Sequence, residues 1–292
     1  MIDLIQITND PEFARRCDAL EGMRLWVDLE RLGKVERQAG RNTFISAHQL
    51  DDVARVRAAV KRSALMVRVN PLNPASAAEV DAVLARGADL LMLPMFNTAD
   101  ELRTFAKLVA RRAPIVPLLE TAGALDSLDD WIATPGLHEV YVGLNDLHLS
   151  LGLRFMFEPM ASGIVERVAA AARRQGLRFG FGGIARLDEG LLPGRDVLAE
   201  HVRLGSQAVI LSRTFHRHGE PGMPEHSFEA EVARLRQAER ELTGRTAAQQ
   251  EADHVRIAGV ITGLAARLAS ATETLAWSGR WMSCWHLWRC CC

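Results

Sequence analysis

Four residues stand at equal intervals in this chain: Arg68, Pro94, Glu120 and Asp146, each 26 positions after the last. Each closes a short apolar run: LMVR (65–68), LLMLP (90–94), VPLLE (116–120) and YVGLND (141–146). A strand, its loop and the next helix take roughly 30 residues, so this interval reads as one βα unit per step. In a (β/α)₈ barrel the C-terminal ends of all strands open onto one face. The spacing therefore predicts a guanidinium and two carboxylates at one mouth.

Eight buried-strand candidates run along the chain: LIQIT (4–8), LWVDL (25–29), LMVRVN (65–70), LLMLPM (90–95), IVPLLET (115–121), VYVGLN (140–145), FGFGGI (179–184) and AVILS (208–212). They are short and apolar throughout, as strands covered on both faces must be. Helical patterns lie between them, at 11–22, 50–62, 75–87, 98–112, 125–136 and 161–176. Asp10 before Pro11 and Thr98 three residues before Glu101 are helix-start signals. This alternation predicts a (β/α)₈ TIM barrel with right-handed crossovers. NTFIS (42–46) is a further strand candidate, and either it or LIQIT completes the eight. The helix expected after the last strand is covered by 227–244.

The barrel is expected to occupy residues 1–243. Residues 244–292 read as a C-terminal helical extension, with an amphipathic helix at 249–275 and the tail SGRWMSCWHLWRCCC. Val255, Ile257, Val260, Ile261, Leu264 and Leu268 form an apolar stripe on that helix. The stripe calls for a partner, either the outer helices of the same barrel or a second subunit. Four of the six tryptophans fall in the last 16 residues, a composition unlike the rest, so the tail is expected to lie outside the fold.

Composition narrows the function. With 48% hydrophobic and 24% charged residues, the 292-residue chain suits one large domain with a sizeable core. A net charge of −1 offers no bulk attraction to nucleic acid or to a membrane surface. MIDLIQITND lacks the basic start and apolar stretch of a secretory signal, and no apolar run approaches the ~20 residues of a membrane span. Cys17 stands alone, and the other four cysteines crowd the last nine residues, so neither a disulfide framework nor a zinc-ligand spacing is present. A reducing, cytoplasmic setting and a homo-oligomer are expected.

The strand ends carry the chemistry. Glu120 and Asp146 are hard oxygen donors on adjacent strands and suit Mg²⁺ or Mn²⁺, which keep open positions for water and substrate. Helix capping or a loop hydrogen bond is the other reading of each. Arg68 needs an anionic partner, either a substrate carboxylate or an internal ion pair with Glu120 or Asp28. Asp28 and Glu30 would orient that arginine or metal waters, or form a structural salt bridge. His48, in SAHQLDD, is a general-base candidate or a hydrogen-bonding residue at a helix start, and His148 is its rival. Gly182 and Gly183, with Arg186 and Arg213, would cradle a phosphate after strands seven and eight, or the glycines would serve tight packing.

Together LWVDLE, MVRVN, GADLLMLPM, VPLLET, PGLHEVYVGLNDLHLSLG and GSQAVILS resemble the HpcH/HpaI aldolase and citrate lyase β-subunit superfamily, in order over residues 24–215. The resemblance implies a metal-dependent (β/α)₈ barrel that makes or breaks C–C bonds next to a 2-oxo acid or an acyl-CoA. It implies that Arg68 grips the substrate carboxylate and that Glu120 and Asp146 hold Mg²⁺ or Mn²⁺. The backbone amides of Asn145 and Asp146 would help hold the oxo acid. The chain departs from the pattern at Arg31, where aldolase members carry a histidine and citrate-lyase-like members a second acid, and at Leu144, where aldolases commonly have proline. It most resembles a divergent branch associated with surface-polysaccharide gene neighbourhoods. The expectation is an aldolase-type lyase of a small 2-oxo acid. Acyl-CoA lysis or phosphoenolpyruvate-like chemistry on the same site is an alternative, as is a non-catalytic ligand-binding barrel in polysaccharide assembly.

Overall fold

In the computed structural model, residues 1–33, 47–216 and 227–278 are described. The expected alternation forms a closed, all-parallel barrel of eight strands in chain order. The strands are β1 (Asp3–Ile7), β2 (Met23–Asp28), β3 (Ala64–Arg68), β4 (Leu90–Leu93), β5 (Ile115–Leu119), β6 (Glu139–Val142), β7 (Arg178–Ile184) and β8 (Ala208–Leu211). The main helices between them are α1 (Pro11–Asp18), α2 (Leu50–Ala59), α3 (Ser76–Ala85), α4 (Ala99–Val109), α5 (Ala122–Asp126), α6 (Leu128–Trp131), α7 (Leu144–Ser150), α8 (Glu158–Ala161), α9 (Ile164–Arg174) and α10 (Gly194–Leu204). Two helices follow, α11 (Ser227–Thr243) and α12 (Ala247–Ser278). LIQIT supplies β1, which pairs with β2 and β8 and closes the barrel. NTFIS lies outside the described residues.

Side chains alternate between two apolar clusters, as strand periodicity requires. Leu4, Leu25, Leu65 and Leu91 face the helices. Ile5, Trp26, Met66, Met92, Leu118 and Tyr141 fill the barrel interior. Below that interior layer an ion network plugs the N-terminal end. Arg24 on β2 donates to Glu139 on β6 at 2.8 Å and to Asp3 on β1 at 2.8 Å. Arg178 on β7 donates to the same two carboxylates. Two residues above the interior layer stand Asp28, Arg68 and Glu120, so the period of two delivers them to the mouth.

Two elements differ from expectation. The helix expected at 125–136 is the short pair α5 and α6. Ser127 separates them, with its hydroxyl donating to the Gly123 carbonyl at 2.7 Å, a local bond that competes with helix continuation. The strand expected at 140–145 ends at Val142. The Gly143 N–H closes the ladder onto the Leu119 carbonyl, and the Gly143 carbonyl then accepts the Leu147 N–H and starts α7. Asn145 and Asp146 thus occupy the first turn of a helix. The expected capping box at Thr98 and Glu101 forms at the start of α4.

The C-terminal stripe finds its partner in the same chain. Helix α12 packs on α8 and α10 and buries Ile257 and Ile261. Val260, Leu264 and Leu268 pack beside them, whereas Val255 faces solvent. Arg256 forks onto Asp196 of α10 at 2.6 and 3.0 Å, and the His254 ring meets Glu200 at 3.1 Å. Among the described residues no helix is long and apolar enough to cross a membrane.

Candidate active site

Arg68 ends β3 beneath three kinds of partner. Its Nε and Nη2 donate to the two Asp28 oxygens, each at 2.8 Å, and Nη2 also lies 3.3 Å from Glu30. Its guanidinium rests on the Trp26 ring, 4.8 Å from the centroid, a cation–π contact from the barrel's inner layer. Neighbouring carboxylates hold its proton more firmly than usual, against a burial that works the other way. The bidentate fork expected for a substrate carboxylate is therefore spent on Asp28. The Nη1 edge is left for a ligand. Asp28 also accepts the Glu30 N–H at 3.2 Å.

Glu120 follows β5 and is 3% exposed. Burial raises its carboxyl well above the usual range, the charge of Asp146 adds to this, and Arg68 opposes it. Its Oε1 accepts the Met95 N–H at 3.1 Å. Met95 has φ 56°, a left-handed conformation uncommon outside glycine, and this turns its N–H toward the carboxylate. At the Pro94 position of the 26-residue series the chain thus contributes a main-chain donor from the next residue. Opposite, Gly143 leaves room: a Cβ there would lie 2.8 Å from Glu120 Oε2 and 2.9 Å from its Cβ. Only glycine fits between β6 and this side chain.

Asp146 lies in the first turn of α7, where helix N–H groups have no carbonyl of their own helix to meet. The amides of Asn145 and Asp146 belong to this set. Among the described residues Asp28, Glu30 and Glu120 act on the Arg68 guanidinium, and Asp146 acts in turn on Glu120, an excess of negative charge that fits a divalent cation. Among the described residues no three His, Cys, Asp or Glu gather as a complete ligand cage. A pair of carboxylates nevertheless suffices for Mg²⁺ or Mn²⁺, whose remaining positions go to water and substrate.

The two histidines lie apart. His48 is buried at the end of β2, where its Nδ1 accepts the Asp28 N–H at 3.1 Å. His148 is buried on α7, with Nδ1 3.2 Å from the Leu144 carbonyl one turn earlier. Arg31 is exposed, and its Nη2 donates to the His48 carbonyl at 2.9 Å. His48 and Arg31 also line a groove of about 430 Å³ beside the mouth, floored by Leu50, Ala75, Ala78 and Ala82 between α2 and α3.

Gly182 and Gly183 lie within β7 rather than in a loop after it. Register slips between Gly180 and Gly183, and the slack admits Tyr141. The Tyr141 hydroxyl donates to the Gly182 carbonyl at 2.7 Å and accepts the Ile210 N–H at 2.9 Å. A Cβ on Gly182 would meet Leu144 at 2.8 Å. Packing thus accounts for Gly182, whereas a Cβ on Gly183 would make only an ordinary contact, 3.6 Å from the Ile210 carbonyl oxygen. Arg213 sits exposed in the 3₁₀ turn Arg213–His216, and Arg186 is buried beside Thr214. Cys17 is inert, since burial pushes its thiol up to about 12. The contributions of Met95, Gly143 and Trp26 had no signal in spacing, because each acts through backbone shape or through the layer below the mouth.

Solved structures share this architecture. The HpcH/HpaI aldolase from Desulfitobacterium hafniense DCB-2 superposes with a TM-score of 0.56 at 18% identity, over 84% of this chain and 95% of that one. An HpcH/HpaI aldolase/citrate lyase family protein from Burkholderia cenocepacia J2315 gives 0.56 at 20%, over 82% and 94%. Macrophomate synthase gives 0.54 at 15%, over 84% and 86%. No curated protein matches the chain by sequence. The family model for HpcH/HpaI aldolase/citrate lyase matches residues 11–185. That span covers the strand ends bearing Asp28, Arg68, Glu120 and Asp146, and the chain belongs to the HpcH/HpaI aldolase/citrate lyase family.

Proposed function

We propose that this chain is a divalent-metal-dependent carbon–carbon lyase that cleaves a 4-hydroxy-2-oxo acid into an aldehyde and pyruvate. The observation that carries the reading is the Glu120–Asp146 pair. A buried carboxyl whose proton affinity is raised by a second carboxylate is a site that gains most from a cation. Glu120 and Asp146 would hold Mg²⁺ or Mn²⁺, which would supply Lewis acidity to the 2-oxo group. Arg68 presents Nη1 to the developing enolate oxygen and is kept in place by Asp28, Glu30 and Trp26. The first-turn amides of Asn145 and Asp146 donate to the substrate carboxylate. Cleavage removes the 4-hydroxyl proton, breaks C3–C4 and returns a proton to C3, so that no redox partner is needed.

The test is pyruvate release from a panel of 4-hydroxy-2-oxo acids with Mg²⁺, Mn²⁺ or a chelator. Release should require the cation, and Arg68→Lys should lower kcat/KM by about 100-fold through misplacement of the positive group. Oxalate binding without any release from the panel would leave a ligand-binding barrel in place of a lyase.

A further inference from the structure

The hydrogen bond at the end of β2 assigns His48 a specific job. Pairing of β1 with β2 stops at Ile7 and Trp26, with one last bond from the Thr8 N–H to the Trp26 carbonyl. Asp28 lies one step beyond, where the β1–β2 register has ended. The His48 ring accepts its N–H through Nδ1 at 3.1 Å. An Nδ1 that accepts an N–H carries no proton, so the neutral ring holds its proton on Nε2. A second proton would have to enter at Nδ1, facing the Asp28 N–H and breaking the bond. His48 is in turn fastened from behind. Arg31 donates to its carbonyl at 2.9 Å, and the Arg31 and Leu32 amides are pinned by Asn70 Oδ1 at 2.8 and 3.0 Å. Asn70 donates to Glu79 of α3 at 2.8 Å.

We infer that His48 is a positioning residue. With Arg31 behind it, it anchors the main chain of Asp28 so that the Asp28 carboxylate presents both oxygens to Arg68. The contact chain runs Arg31, His48, Asp28, Arg68, and it carries no proton. The inference rests on the lyase reading for its catalytic consequence, but not for its geometry. Outer contacts of this kind are worth about 10–100-fold in affinity or activity when removed.

The test uses the full-length chain. In ¹⁵N-histidine NMR, His48 should show an unprotonated Nδ1 and a protonated Nε2 from about pH 6 to 8. His48→Ala should lower kcat/KM for the oxo acid about 30-fold and shift the Arg68 Nε–H resonance. His48→Asn places an amide oxygen near the former Nδ1, so it should restore the resonance and bring kcat/KM within about fivefold of wild type, with the pH profile unchanged. The inference is overturned by a protonated Nδ1, by an Asn variant as impaired as Ala, or by a pH limb that disappears in both. If wild type releases no pyruvate with any cation, the lyase reading falls alone, and the ring tautomer and the Arg68 resonance still decide the role of His48.

Discussion

At the residue scale the mouth, among the described residues, is a balance of buried charge in which the Arg68 guanidinium answers several carboxylates. Asp28 and Glu30 are matched to Arg68, while Glu120 is left with a proton affinity raised by burial and by Asp146. The consequence for stability has a definite sign. The folded metal-free chain keeps a proton on Glu120 at pH values where the unfolded chain has lost it. Stability is therefore greatest below the ordinary value of 4.5 and is lost as pH rises through the raised one. Glu120→Gln, which cannot ionise, should raise the Tm of the metal-free protein at neutral pH and flatten its fall between acid and neutral conditions. Mg²⁺ should raise the wild-type Tm and leave that of the variant unmoved. Equal Tm–pH curves for the two proteins would show that Glu120 carries no stored charge cost. Arg68 has the opposite dependence on its neighbours. Arg68→Ala would take the buried guanidinium away from Asp28 and Glu30, at a cost of about 3–5 kcal/mol, whereas Arg68→Lys keeps the charge and tests geometry.

At the element scale the site depends on places where regular structure gives way. Strand β6 stops at Gly143 and α7 begins, which turns Asp146 from a strand-end residue into a first-turn helix residue and brings two amides with it. Strand β7 slips register so that Tyr141 fills the barrel and bridges β7 to β8. Gly180 faces that ring closely: a Cβ would lie 2.6 Å from Tyr141 Cε2 and 2.7 Å from the Ala208 carbonyl oxygen. Gly180→Ala should therefore destabilise the fold by about 1–3 kcal/mol through overpacking, read as a lower urea midpoint at constant slope. Tyr141 lies two residues before Gly143, so the variant should also weaken oxalate binding. An unchanged urea midpoint would mean that the barrel has more slack at this layer than the contact distances allow.

At the scale of the whole molecule, α12 is a buttress outside the barrel wall. The division at residue 243 remains our proposal, with the strands and the mouth on its N-terminal side. The helix buries Ile257 and Ile261 and is tied to α10 through Asp196 and Glu200. Ending the chain after Gly244 should leave kcat/KM within about twofold. It should also lower Tm by several degrees, since each buried isoleucine contributes about 1.5–3 kcal/mol and a barrel of this size loses about 2–4 °C per kcal/mol. The cost arises because the stripe is partnered within the chain. Loss of activity on truncation would place α12 in the functional unit.

Much of this architecture was legible in the order of residues. A 26-residue spacing and continuous apolar runs report a repeating βα unit, because a strand covered on both faces must be apolar along its length. The period of two then carries Asp28, Arg68 and Glu120 inward above Trp26, Met66 and Leu118. Those facts are local, and local patterns survive in sequence. What only the tertiary structure decided involves residues distant along the chain. It determined that Asp28, 40 residues from Arg68, takes the arginine's fork, that a left-handed Met95 aims an N–H at Glu120, and that a missing Cβ at Gly143 makes room for the same carboxylate. It also decided that a histidine with the chemistry of a base spends its lone pair on a main-chain amide. Donor and acceptor roles depend on which groups meet, and that is settled by closure of the barrel, which no spacing along the chain encodes.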